Sequence, residues 1–162
     1  MAEEKITNIS LSNKKCFSID GDGNRLIYLD ISDMNLIVRL EEVYQDLQKL
    51  AVDASERIAS VPDAKDDGDL TPISSMTTIL KDIDKQMREK VDYIFASEVS
   101  DICVPTGNMY DPVNGEFRFE HLIDVLTSLY ASNYTAEFKK MQDRVKKHTA
   151  KYTKSSSSKR KK

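Results

Sequence analysis

"KKCFSIDGDGNRLIYLDISDMNLIVRLEEVYQDLQKL", residues 14–50, changes its period halfway along. The first half sets two β-prone runs, "KCFSID" and "RLIYLD", on either side of the glycine-rich "GDGN". Runs of this kind around such a turn are the signal of a hairpin, with strands at about 14–20 and 25–30. From "DISD" onward the spacing lengthens. Ser32 or Asp33 offers an N-cap, and Leu36, Leu40, Val43, Leu47, Leu50 and Ala54 follow at intervals of four and three. That pattern predicts an amphipathic helix over about 33–59. Ile37, Tyr44 and Ala51 widen its stripe enough to bury on more than one partner.

Outward from this stretch the chain stays helical. "SVPDAKDDGDLTPISS" is polar and acidic, with Pro62, Gly68 and Pro72, and reads as a linker over about 60–75. Met76, Ile79, Leu80, Ile83, Met87, Val91, Ile94 and Phe95 then mark a second helix over about 76–97, whose other face carries Lys81, Asp82, Asp84, Lys85, Arg88 and Glu89. A short apolar turn at 99–104 closes it. In "YDPVNG" Pro112 suits a turn and Asn114-Gly115 takes positive φ at little cost. Phe119, Leu122, Ile123, Leu126, Leu129 and Tyr130 predict a third helix over about 117–132. The same Asn114-Gly115 pair also reads as a hairpin turn with "EFRFE" as its second strand. "SNYTAEF" interrupts the apolar period and offers Thr135 as a cap for a fourth helix over about 135–150. The fold class is therefore α+β, mainly α: an N-terminal hairpin, three to four amphipathic helices and a flexible basic tail.

Length and composition agree. The chain has 162 residues, 40% hydrophobic and 31% charged, with no Trp, few Gly or Pro and a mean hydropathy of −0.50. One domain over about 1–150 with a disordered tail at about 151–162 fits these values. From residue 139 onward eleven Lys and Arg face a single Asp, ten positive charges net, which leaves thirteen negative charges on the rest. The chain reads as an acidic body with a basic end. No apolar leader opens it and no run is long enough to span a bilayer, so a cytoplasmic location is expected.

Reactive chemistry finds little support. Cys16 and Cys103 are the only cysteines and lie outside any CxxC spacing, so neither a disulfide framework nor a zinc knuckle is indicated. Asp20, Asp22 and Asn24 resemble the start of a calcium loop, but Arg25 stands where that loop needs Gly and Ile31 where it needs Glu. Cys103, His121 and Asp124 contain the residue types of a nucleophile, a base and an orienting group, yet Cys103 sits in apolar "DICV" with no glycine-rich oxyanion segment beside it. Walker and Rossmann glycine patterns are absent. No catalytic residue, metal ligand or cofactor site is assigned. The lysines from Lys139 to Lys162 suit a salt-dependent contact with nucleic acid, opposed by the acidic body.

The order "FSIDGDGNRLIYLDISDMNLIVRLEEVYQDL", "IDKQMREKVDYIFASEVSDIC" and "GNMYDPVNGEFRFEHLIDVL", covering about residues 5–135, resembles the small tail assembly chaperones of siphophages and prophages of Gram-positive bacteria. The resemblance implies a non-enzymatic protein that keeps the long helical tape measure protein in solution until tube subunits polymerise around it, several copies coating one client. In some members a frameshifted longer product adds a domain that recruits tail tube protein. On this reading Leu36, Leu40, Leu47, Met87 and Val91 are candidate partner-binding positions on the helices. Met109, Tyr110, Phe117 and Phe119 form a candidate contact patch around the "PTGNMYDPVNG" loop. The alternative is a small phage or bacterial nucleic-acid-binding accessory protein acting through the C-terminal lysines.

Overall fold

A computed structural model describes residues 7–11 and 13–158, with side chains as far as residue 147 and at 150. A hairpin leads. Strand β1, Lys14–Ile19, pairs antiparallel with β2, Asp22–Asp30. Its turn is Asp20-Gly21, both at positive φ (53° and 71°), and not the "GDGN" centre expected from the glycines. Asp-Gly satisfies a tight two-residue turn that matches strand twist. Gly23 and Asn24 fall inside β2, opposite the register slip between Ser18 and Ile19 of β1. Ile27 and Leu29 point from β2 into the core, 1% exposed each, while Tyr28 between them faces out.

Helix α1, Asn35–Ala59, starts two residues later than expected. Its cap residue is Met34, whose thioether side chain makes no capping hydrogen bond. Asp33 still serves the first turn, its carboxylate accepting the Asn35 N–H at 3.0 Å. Helix α2, Thr71–Phe95, begins five residues earlier than the sequence pattern suggested, so the linker ends at Leu70. The Thr71-Pro72 step opens the helix rather than belonging to the loop. Proline in a first turn gives up only an N–H that has no helical partner, and Asp69 accepts the Thr71 N–H at 3.0 Å. The two helices run antiparallel, tied by Arg57 to Asp82 (2.9 Å), Lys90 to Asp46 (3.3 Å) and the Tyr93 hydroxyl to Glu42 (2.7 Å).

The short turn appears as α3, Ser100–Cys103. The following loop resolves the two readings of "EFRFE" by dividing it. Strands β3, Pro112–Val113, and β4, Glu116–Phe117, form a minimal hairpin across Asn114-Gly115, both at positive φ, and a helix starts at Arg118. That helix, α4, Arg118–Ser158, is one element. The break expected near residue 133 is absent because its polar residues bond elsewhere. Asn133 donates from its side chain to the Ile31 carbonyl at 3.0 Å, the Tyr134 hydroxyl donates to the Asp33 carbonyl, and Thr135 bonds back to Ala131. Of the basic tail expected at 151–162, residues 151–158 continue this helix and 159–162 lie outside the described residues.

The core joins β2, all three longer helices and the loop. Leu47 and Ala54 of α1, Ile83, Met87 and Val91 of α2, Met109 of the loop and Phe119 of α4 are fully enclosed. α4 runs antiparallel to α1, since Gln48 bonds Glu120 at one end and Tyr134 bonds Asp33 at the other. Among the described residues Tyr134 is the last of α4 to pack on the core.

Candidate binding groove

The loop at the centre of the sequence reading is held by three arginines. Arg88, a face residue by periodicity, is in fact mostly enclosed and reaches across to the α3 region. It donates to Asp84 (2.8 Å), Asp101 (2.9 Å) and the carbonyls of Ser100, Val104 and Gly107. Asp84 in turn accepts the Met109 N–H at 2.7 Å. Arg25 of β2 clasps the other side of α3, donating to the carbonyls of Ile102 (3.2 Å) and Cys103 (2.8 Å) and to Asp20 (3.0 Å). Arg118 caps the loop through the Thr106 carbonyl and the Asp111 carboxylate. Asp92 anchors the start of α3, its two oxygens accepting the N–H groups of Val99 and Ser100 and the Ser100 hydroxyl.

Between these supports lies an open groove of about 480 Å³. Ile19, Val104, Val113, Leu122, Val125 and Leu126 supply its apolar surface, and Asp20, Arg118, His121 and Cys103 also line it. Beside it Tyr110, Phe117 and Phe119 stack in series, with ring centroids 4.7 Å and 5.8 Å apart. The stack stiffens the turn that presents Val113.

The groove does bring Cys103 and His121 to one lining, but their chemistry is not that of a catalytic pair. Burial pushes the Cys103 thiol up to about 11, against which the nearby Arg25 guanidinium works only partly. At neutral pH it is a thiol, not a nucleophilic thiolate. The His121 Nδ1 atom lies 2.8 Å from the Glu116 carboxylate. Glu120, its neighbour in sequence, accepts the Phe117 N–H and a proton of Gln48 instead, closing the first turn of α4 and joining it to α1. The calcium-like carboxylates are also engaged within the hairpin: Asp20 by Arg25, Asp22 by the Asn24 N–H. Among the described residues no group of three or more His, Cys, Asp and Glu gathers in a metal-holding arrangement.

The candidate partner residues divide by burial. Leu36, Leu47, Met87, Val91, Met109 and Phe119 lie in the chain's own core, so no partner reaches them while the fold stays closed. Their helical spacing reports packing between α1, α2 and α4. Leu40, Tyr110 and Phe117 are half-buried, and Leu40 lines a second groove between α1 and α4. Residues with outward apolar surface, Ile37, Val38, Tyr44 and Val125, were not singled out as sites. No family model, curated protein or solved structure matches the chain. Among the described residues no helix is long and apolar enough to cross a membrane.

Proposed function

We propose that this protein is a non-enzymatic tail assembly chaperone, acting in the host cytoplasm on the tape measure protein of a siphophage or prophage. The observation that carries the reading is the groove beside the "PVNG" turn, with its apolar surface and its protonated, half-buried thiol. A surface of this kind takes the apolar stripe of an amphipathic helix, with the exposed Asp20 and His121 at its polar edge. The order of sequence phrases resembling that chaperone family supports the choice of client. Each contact is small, and several copies along one extended helix multiply it.

Co-expression with a siphophage tape measure protein tests the reading. The client is expected in the soluble fraction with the wild-type chain and in the pellet with Val125→Lys, whose side chain is 47% exposed on the groove, circular dichroism confirming that the variant folds. A client that stays insoluble with the wild-type chain refutes the proposal. A salt-dependent gel shift that survives with the groove blocked and disappears on removing residues 151–162 would favour nucleic-acid binding instead.

A further inference from the structure

Past Tyr134, α4 leaves the body and runs on to Ser158, roughly 36 Å at 1.5 Å per residue. An apolar edge beside the core face does not stop there. Ile123, Thr127, Ala131, Tyr134, Phe138 and Met141 follow at spacings of four and three, and Phe138 and Met141 are 50% and 57% exposed. Lys139, Lys140, Arg144, Lys146 and Lys147 outnumber Glu137 and Asp143 along this distal part, so it is net basic even though Lys140 pairs with Glu137 at 2.7 Å. At the proximal end the same edge forms one wall of the second groove, about 470 Å³, lined by Ile37, Leu40 and Tyr44 of α1 and Ile123 and Thr127 of α4, with Glu41 and Asp124 as its only charged groups. An acidic apolar groove and a basic apolar helix thus sit on one face of one continuous rod. Phe138 lies about 22 Å along that rod from Ile123, so it cannot fold back into its own groove.

We infer that the occupant of this groove is the distal α4 of a second copy of the chain, and that the two copies exchange these segments around a two-fold axis near Ala131 and Ser132. Antiparallel apposition of the two helices about that point sets Phe138 and Met141 of each against the α1–α4 groove of the other. The basic flanks then meet Glu41 and Asp124. Ala131, exposed and small and on the same edge as Phe138, lets the helices approach at the centre. A reciprocal exchange closes on itself, so the product is a dimer and not a filament. The inference stands apart from the identity of any client.

Sedimentation equilibrium of the full-length chain tests it. The wild type is expected to be a dimer. Phe138→Glu with Met141→Glu, and separately Ile37→Lys with Tyr44→Lys, are each expected to raise the dissociation constant by on the order of a hundredfold, with helix content unchanged. Mixing these two variants should restore a one-to-one dimer, because one intact helix still meets one intact groove. Glu41→Lys with Asp124→Lys should weaken self-association, and Lys139→Glu with Lys140→Glu mixed with it should recover association. A wild-type chain that stays monomeric, or a dimer indifferent to both double variants, overturns the inference. So does a monomer whose Phe138 and Met141 are needed only for binding phosphatidylglycerol vesicles or duplex DNA.

Discussion

Arg88 directs its guanidinium at two carboxylates and three main-chain carbonyls, and its side chain is only 15% exposed. Arg88→Ala leaves those carbonyls and Asp84 without their donor and is expected to cost about 2–4 kcal/mol by urea denaturation. Arg57→Ala, which removes a more exposed pair with Asp82, should shift the urea midpoint far less than Arg88→Ala does. Gly107 makes the second residue-scale case. It has φ +99°, and an added Cβ would collide with the Arg118 guanidinium. Gly107→Ala must displace Arg118 as well as strain the backbone, and a loss of about 1–3 kcal/mol is expected in the same assay. At Cys103 the raised thiol pKa implies about a hundredfold less thiolate at neutral pH than an ordinary cysteine carries. Iodoacetamide followed by mass spectrometry should therefore label the exposed Cys16 well ahead of Cys103. None of these roles was readable from spacing. Arg88 occupies an outward position by helical period, and only the return of the chain at 100–107 turns that position inward.

Elements were more legible than residues because their signals are local. Period two around Asp20-Gly21 and period three to four from Leu36 onward identify the hairpin and α1 without reference to anything distant. The start of α2 was misplaced by five residues because Thr71-Pro72 reads as loop until the helix it opens is seen. The break in α4 was misread for the opposite reason. "SNYTAEF" reads as a polar interruption with Thr135 as a cap, but the partners of Asn133 and Tyr134, the carbonyls of Ile31 and Asp33, are about a hundred positions away. Tyr134→Phe should accordingly lower stability by about 1 kcal/mol while leaving helix content by circular dichroism unchanged. The candidate groove was illegible as a unit, since four separated segments line it: 18–20, 103–104, Val113 and 118–126. What the apolar spacing did reveal, at Leu36, Leu47, Met87 and Val91, was the core.

For the molecule as a whole, carboxylates set the acid limit. The Ser32 hydroxyl holds Asp30 below the usual carboxylate range, and Arg57 and Thr71 do the same for Asp82 and Asp69. A carboxyl whose folded pKa is depressed contributes stability that is complete above its unfolded value and lost as pH falls through the folded one. The urea midpoint should thus be flat near neutrality and fall below about pH 4, less steeply in Asp30→Asn. The clasp of Arg25 on the carbonyls of Ile102 and Cys103 has a further consequence, for the order in which the chain matures. An isolated two-stranded hairpin is marginal in water, and this one gains its anchor only when residues 102–103 have left the ribosome. A segment synthesised before α1 and α2 is then among the last to settle, and pulse-labelled hydrogen exchange during refolding should record protected amides in α1 and α2 before any in β1.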